Sequence, residues 1–182
     1  MKISTEILLN ELKSKTGQHL QYAETLLLKP EDELNFRISA DSWSVLECLE
    51  HLNCYGNFYI PEISHRISSS ATTPKSDFKS GILGNYFANM MLPKEKLNKM
   101  KTLEIMNPIH SQLNKGVVNE FIQQQQQLLD LLEKAKHINL EKTKTAISIS
   151  KLITLKLGDT FRFVIYHNQR HIVQAEKVIK NI

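Results

Sequence analysis

At 182 residues and 21.0 kDa, the chain has room for one domain, and 41% hydrophobic with 23% charged residues is the balance of a globular protein. Only 6 Gly and 5 Pro argue against a turn-dense sandwich or barrel and against disorder. A net charge of +4, from 23 basic and 19 acidic residues, is too small and too scattered for a nucleic-acid surface. The densest basic cluster, Lys94, Lys96, Lys99 and Lys101 broken by Glu95, reads as a solvated linker. The opening MKISTEILLN lacks the unbroken apolar run of a signal peptide, and no stretch approaches 18 apolar residues. Residues 1–182 are therefore expected to form one cytoplasmic domain without membrane or nucleic-acid partners.

From Ile3 to Leu28, apolar residues such as Leu8, Leu12, Ala23 and Leu27 recur at three- and four-residue steps, which predicts an amphipathic helix ended by Pro30. A second helix begins near Ser42 to Ser44, where Ser44 and Glu47 have capping-box spacing, and runs to about Ser68. Gly56 and Pro61 predict a kink or break near residues 57–60. Residues 69–109 read as a long connection holding one short helix around Ile82 to Met91. A third long helix is expected from Ile109 to His137; of its five glutamines, Gln123 to Gln127, only Gln125 falls in phase with the apolar stripe. Residues 146–157 read as an extended connector, and Asp159 or Thr160 as the cap of a last helix reaching about Lys180. Four long helices with irregular crossings describe a four-helix bundle.

The chemistry-bearing residues lie on the last helix. His167 and His171 are four residues apart, about 400° of rotation, so their imidazoles leave one face a turn apart. Val164 and Val178 share that stripe, which turns the pair toward the bundle interior. Two buried imidazoles are poor core filler, because their ring nitrogens need partners. On the second helix, His51 lies a turn from Glu47 and Tyr55, on a face able to meet the last helix. Imidazole is a common ligand of zinc, nickel and iron, and a three-ligand set leaves a coordination position open for chemistry. His19, His65, His110 and His137 lack a partner at ligand spacing and read as non-ligands. Cys48 reads as an unreactive buried thiol, and at about 240° around the helix from Cys54 it cannot pair with it. Trp43 reads as a packing anchor.

The segment Trp43-Ser44-Val45-Leu46-Glu47-Cys48-Leu49-Glu50-His51-Leu52 resembles the Trp-Ser … His-Leu signature of the DinB-like (DinB/YfiT) metalloprotein superfamily. His167-Asn168-Gln169-Arg170-His171-Ile172-Val173-Gln174 resembles its C-terminal His-x-x-Arg-His-x-x-Gln pattern, and Leu157-Gly158-Asp159-Thr160 resembles the lead-in. The resemblance spans nearly the whole chain. It implies an all-α, up-down-down-up four-helix bundle with a divalent metal, zinc or nickel first, held by His51, His167 and His171. Arg170 and Gln174 are then either groups that orient the ligands or surface residues. Relatives of this kind include bacillithiol- and mycothiol-dependent S-transferases, a maleylpyruvate isomerase and metal-dependent hydrolases, and many pair as homodimers.

No Ser-His-Asp set, Gly-rich phosphate loop or Cys-x-x-Cys is present in the sequence. A metal would therefore have to carry any catalysis, by activating a thiol or water toward a small-molecule substrate. The resemblance implies S-transfer with a low-molecular-weight thiol such as bacillithiol, with metal-assisted hydrolysis second. A non-catalytic bundle that binds metal or a hydrophobic ligand is the competing class.

Overall fold

The computed structural model describes residues 1–93 and 102–182 and, within them, every side chain but that of Lys151. The lysine cluster from Lys94 to Lys101 lies outside these residues. In chain order the elements are β1 (Lys2–Ser4), α1 (Thr5–Leu26), α2 (Glu31–Asn35), α3 (Val45–Ser68), β2 (Asp77–Lys79), α4 (Ile82–Met91), α5 (Gly116–Lys134), β3 (Lys144–Ile147), β4 (Ser150–Lys156) and α6 (Leu157–Ile179). Short 3-10 turns cover Glu104–Met106 and Ala135–His137.

The four long helices α1, α3, α5 and α6 form the bundle. α1 packs on α5 and α6, and α3 packs on the same two, so α1 and α3 occupy opposite corners. The apolar residues divide into two clusters, one at each end. One gathers Leu8, Leu12, Tyr59, Ile63, Leu128 and Phe161; the other gathers Leu26, Leu46, Leu49, Val118, Phe121 and Ile172. Along α1 and α6 the chain passes from the first cluster to the second, whereas along α3 and α5 it passes from the second to the first. That order is an up-down-down-up bundle, the arrangement the resemblance implies.

Between the clusters every long helix buries polar residues at the same level: Thr16 and His19 on α1, His51 and Asn53 on α3, Gln124 and Gln125 on α5, and His167, Asn168, Arg170 and His171 on α6. The amide N–H groups of this belt donate across the helices, to one another or to backbone carbonyls. Asn168 Nδ2 donates to Gln125 Oε1 at 3.1 Å, Gln124 Nε2 to the Asn53 carbonyl at 3.2 Å, and Asn53 Nδ2 to the Val117 carbonyl at 3.0 Å. The Gln124 carboxamide lies over Gly56, where an added Cβ would stand 1.8 Å from Gln124 Oε1. Gln124 is thus buried as well as Gln125, contrary to the expectation that Gln125 alone faces inward: it lies three residues after Phe121 and four before Leu128, and Gly56 makes room for it.

Several sequence expectations are corrected. Ile3 belongs to β1, which pairs antiparallel with β2 through Ile3↔Phe78, so α1 starts two residues later, with the Ser4 hydroxyl accepting from the Ile7 amide. α3 runs unbroken through Pro61. Its capping box is present: Glu47 N donates to Ser44 Oγ at 3.1 Å and Ser44 N to Glu47 Oε2 at 2.8 Å. α5 starts at Gly116 rather than Ile109, after a segment that holds Pro108 and places His110 at φ 66°. The connector after Asn139 is a β3–β4 hairpin with an irregular register between Ala146 and Ile147.

Asp159 does not cap the last helix; α6 begins at Leu157 with no side-chain cap. Instead Asp159, fully buried, accepts from the Gly81 amide at 2.8 Å and from Arg162 Nη1 at 3.1 Å, and hydrogen-bonds the Ser80 hydroxyl. Arg162 also reaches Asn85 and Asn89 on α4 at 3.1 and 3.2 Å. This buried ion pair fastens α4 to α6. Gly84 completes the fit, since a Cβ there would stand 2.5 Å from Asp159. Asp159→Ala leaves the Arg162 charge buried without its carboxylate and is expected to destabilise the protein by about 3–5 kcal/mol. Urea denaturation followed by circular dichroism measures it; a loss below about 1 kcal/mol would contradict the docking role.

Candidate metal centre

The polar belt brings together the three histidines singled out in the sequence. His167 Nε2 stands 3.2 Å from His51 Nε2 and 3.1 Å from His171 Nε2. The three form a group able to hold a metal ion, and no cysteine or carboxylate joins it among the described residues. All three are buried, with exposures of 3% for His51, 5% for His167 and 9% for His171. The helix spacing explains the pair on α6, and the contact of α3 with α6 brings His51 to it.

Hydrogen bonding sets which nitrogens face inward. His51 Nδ1 lies 2.6 Å from the Met106 carbonyl oxygen, which only accepts, so Nδ1 carries the proton. In the neutral ring Nε2 is then a bare lone pair. His171 Nδ1 donates likewise to Gln174 Oε1 at 3.0 Å. Of three converging Nε2 atoms, only that of His167 is left able to carry a proton, and one proton cannot satisfy two facing lone pairs equally. A cation satisfies all three. Three nitrogens around one zinc-like ion at about 2.1 Å in tetrahedral array stand about 3.4 Å apart, so spacings of 3.1 and 3.2 Å need only tenths of an ångström of adjustment.

Burial also keeps the rings neutral. Desolvation lowers the pKa of His51 to about 4, against a partial rise from the Met106 carbonyl bond. Desolvation and the neighbouring His51 lower that of His171 to about 3, and His167 is held well below the ordinary range by burial, both partner imidazoles and Arg170. The chain thus presents unprotonated ligands at neutral pH. Arg170 is buried and its charge lowers the pKa of both α6 histidines, and Gln174 Oε1 accepts from His171 Nδ1.

Aromatic rings wall the cluster. Trp43 lies 4.7 Å from the His51 ring and 5.5 Å from His171, Tyr55 lies 4.6 Å from His167, and Phe163 stacks on His167 at 5.8 Å between centroids. Trp43 is therefore an anchor whose load is the imidazoles themselves, and its Nε1 donates to Asn107 Oδ1 at 3.1 Å. Sequence reasoning missed Met106, Asn107 and Phe163. Phe163 carried a signal, four residues before His167, but a backbone carbonyl from a distant loop carries none. Cys48 is fully buried, its thiol pushed up by burial and by Glu47, and it stays free, as does Cys54. His19 is buried in the belt, with its ring nitrogen 3.2 Å from Gln169 Oε1, and His19, His65, His110 and His137 all stand outside the ligand group.

An up-down-down-up bundle with three convergent imidazoles at its waist defines a helical protein built around a histidine centre. The family model described as the DinB superfamily matches residues 16–175, and the chain belongs to that superfamily. No curated protein and no solved structure matches it. No helix among the described residues is long and apolar enough to cross a membrane.

The lowered histidine pKa values set a pH dependence. His51 and His171 titrate near 4 and 3 when folded but near 6.5 when unfolded, so the unfolded chain binds more protons between those values and stability falls as pH drops through that window. The thermal midpoint of metal-free protein is expected to decrease from about pH 6.5 to pH 4, and the decline to be shallower in His171→Ala. A midpoint flat across this range in differential scanning calorimetry contradicts the buried neutral state.

Proposed function

We propose that the chain is a divalent-metal-dependent enzyme whose centre is held by His51, His167 and His171 and which transfers a low-molecular-weight thiol, such as bacillithiol, to an electrophilic small molecule. The observation that carries the reading is the convergence of three Nε2 atoms within 3.1–3.2 Å contacts, with His51 fixed by an acceptor that leaves its inner nitrogen bare. Three neutral imidazoles supply no negative charge, so a bound cation keeps its Lewis acidity and lowers the pKa of a thiol or water to generate a nucleophile at neutral pH.

The surroundings favour a thiol over water. No carboxylate joins the ligand group among the described residues, so the chain supplies no anionic ligand to compete with a thiolate for the cation. A thiol ionises on metal coordination. Trp43, Tyr55 and Phe163 give the site an apolar wall that excludes water from the imidazoles and suits the carbon skeleton of an electrophile. Burial keeps the Tyr55 phenol protonated, so it is a neutral donor beside His51 and His167. Arg170 places a cationic group near the α6 pair, where it favours an anionic or thiolate-bearing ligand. Zinc and nickel are the metals expected, and the protein is expected to act in the cytoplasm, with a homodimer as its assembly.

The decisive measurement loads purified protein with zinc or nickel and assays electrophiles with bacillithiol, mycothiol, glutathione or water alone. Turnover is expected with a thiol and not without. His171→Ala is expected to abolish stoichiometric metal, read by elemental analysis, and to reduce turnover at least 100-fold, while helicity is retained because the two apolar clusters are untouched. Turnover in water alone assigns a hydrolase, and metal binding with no turnover assigns a binding bundle.

A further inference from the structure

The segment that fixes His51 has little internal support. Residues 103–111 hold themselves only through short turns, Met106 N donating to the Leu103 carbonyl at 2.9 Å and Ser111 N to the Pro108 carbonyl at 3.0 Å. Within it His110 adopts φ 66°, a left-handed conformation that a side chain with a Cβ avoids by about 1–2 kcal/mol. Outside contacts must therefore hold it, and they come from residues just ahead of His51. Trp43 Nε1 donates to Asn107 Oδ1 at 3.1 Å, and Arg37 Nη2 donates to the Ser111 carbonyl at 3.4 Å. Arg37 is itself locked by a two-pronged bond to Glu47, at 2.9 Å from Nε and 2.7 Å from Nη2. Glu47 is fully buried. Burial opposes its charge, yet the Arg37 bonds, the Ser44 amide and the His110 amide together hold it below the usual carboxylate range.

Glu47 thus serves three parts at once. It closes the capping box that starts α3, it clamps Arg37, and it draws on the His110 amide of the loop; one turn later on α3 comes His51. We infer that the Arg37–Glu47 pair and the Trp43 indole are positioning residues for His51: they fix the loop, and the Met106 carbonyl in the loop fixes which His51 nitrogen faces His167 and His171. Released from these anchors, the Met106 carbonyl moves away, the His51 ring is free to carry its proton on either nitrogen, and half of its states present N–H where a lone pair is required. The consequence for metal affinity rests on the function proposed above; the tautomer does not, because it is a property of the metal-free chain.

The test reads the ring directly. Long-range proton–nitrogen NMR of metal-free, nitrogen-15-labelled protein is expected to show His51 with its proton on Nδ1. Arg37→Met removes the clamp, and Trp43→Phe keeps a ring while deleting the bond to Asn107. Both are expected to shift the His51 nitrogens toward a mixture of tautomers and to weaken zinc about tenfold or more in a chelator competition, with Arg37→Lys recovering part of the loss. Circular dichroism establishes that each variant is folded, and Trp43→Phe decides the matter should Arg37→Met unfold. If His51 keeps its wild-type nitrogen shifts in the folded variants, the inference is overturned. If wild-type protein fails to bind zinc while the variants still shift the tautomer, the metal reading falls and the positioning role stands.

Discussion

Much of this structure follows from placing polar side chains at the waist of an apolar bundle. Each long helix buries hydrophobic residues above and below that level, and an unpaired buried amide or imidazole there is costly, about 1–3 kcal/mol for a neutral group. The carboxamides of Gln124, Gln125 and Asn168 and the Asn53 side chain answer this with direct hydrogen bonds across helices. Those bonds also fix register. Sliding α5 by one turn would set its glutamines against leucines and its leucines against the belt, so the polar level acts as an alignment mark for all four helices. Asn53 Oδ1 and His19 Nδ1 stay buried without a partner, and the three converging imidazoles share at most one proton among their facing nitrogens once His51 and His171 donate outward. The fold and the site are therefore one problem. The belt specifies the alignment, and its centre is a three-imidazole group able to hold a cation.

How much of this was legible in the sequence depends on whether the signal is local. The capping box at Ser44 and Glu47, the i, i+4 spacing of His167 and His171, and the apolar periods of the long helices are encoded within a few residues, and the structure keeps them. The resemblance supplied His51, which no local spacing links to α6. Most of the failures are tertiary. Asp159 sits where a cap is expected, but a helix can do without one when its first turn is anchored elsewhere, and the side chain serves better as partner to Arg162 and the Gly81 amide. Gln124, read as off the stripe, lies three residues after Phe121 and four before Leu128 and so belongs to it; Gly56 on the neighbouring helix leaves room for its carboxamide. The period-two run from Ala146 was a strand signal, yet its partner β4 lacks clean alternation and the register is broken at Ala146/Ile147. Met106 contributes only its carbonyl, so no property of methionine marked it.

The topology explains why such a backbone contact arises at all. α3 and α5 run in the same direction side by side, so the chain leaving the end of α3 must return the full length of the bundle before α5 begins. α3 alone has 24 residues, about 36 Å of helix at 1.5 Å per residue, and the connection from residue 69 to residue 115 covers that distance. Lengthening such a crossover adds little closure entropy, about 0.6 kcal/mol for each doubling, so extra residues are tolerated and available for other work. Here they carry α4, pinned to α6 by the Asp159–Arg162 pair, and then the turn that reaches His51. A crossover that has to pass the waist can deliver a carbonyl to it from outside the four helices. A tight hairpin between antiparallel neighbours could not, because it would never leave its own end of the bundle. In this fold the connection is thus part of the centre: the parallel placement of α3 and α5 makes a long return necessary, and the return supplies the acceptor that turns His51 toward its two partners.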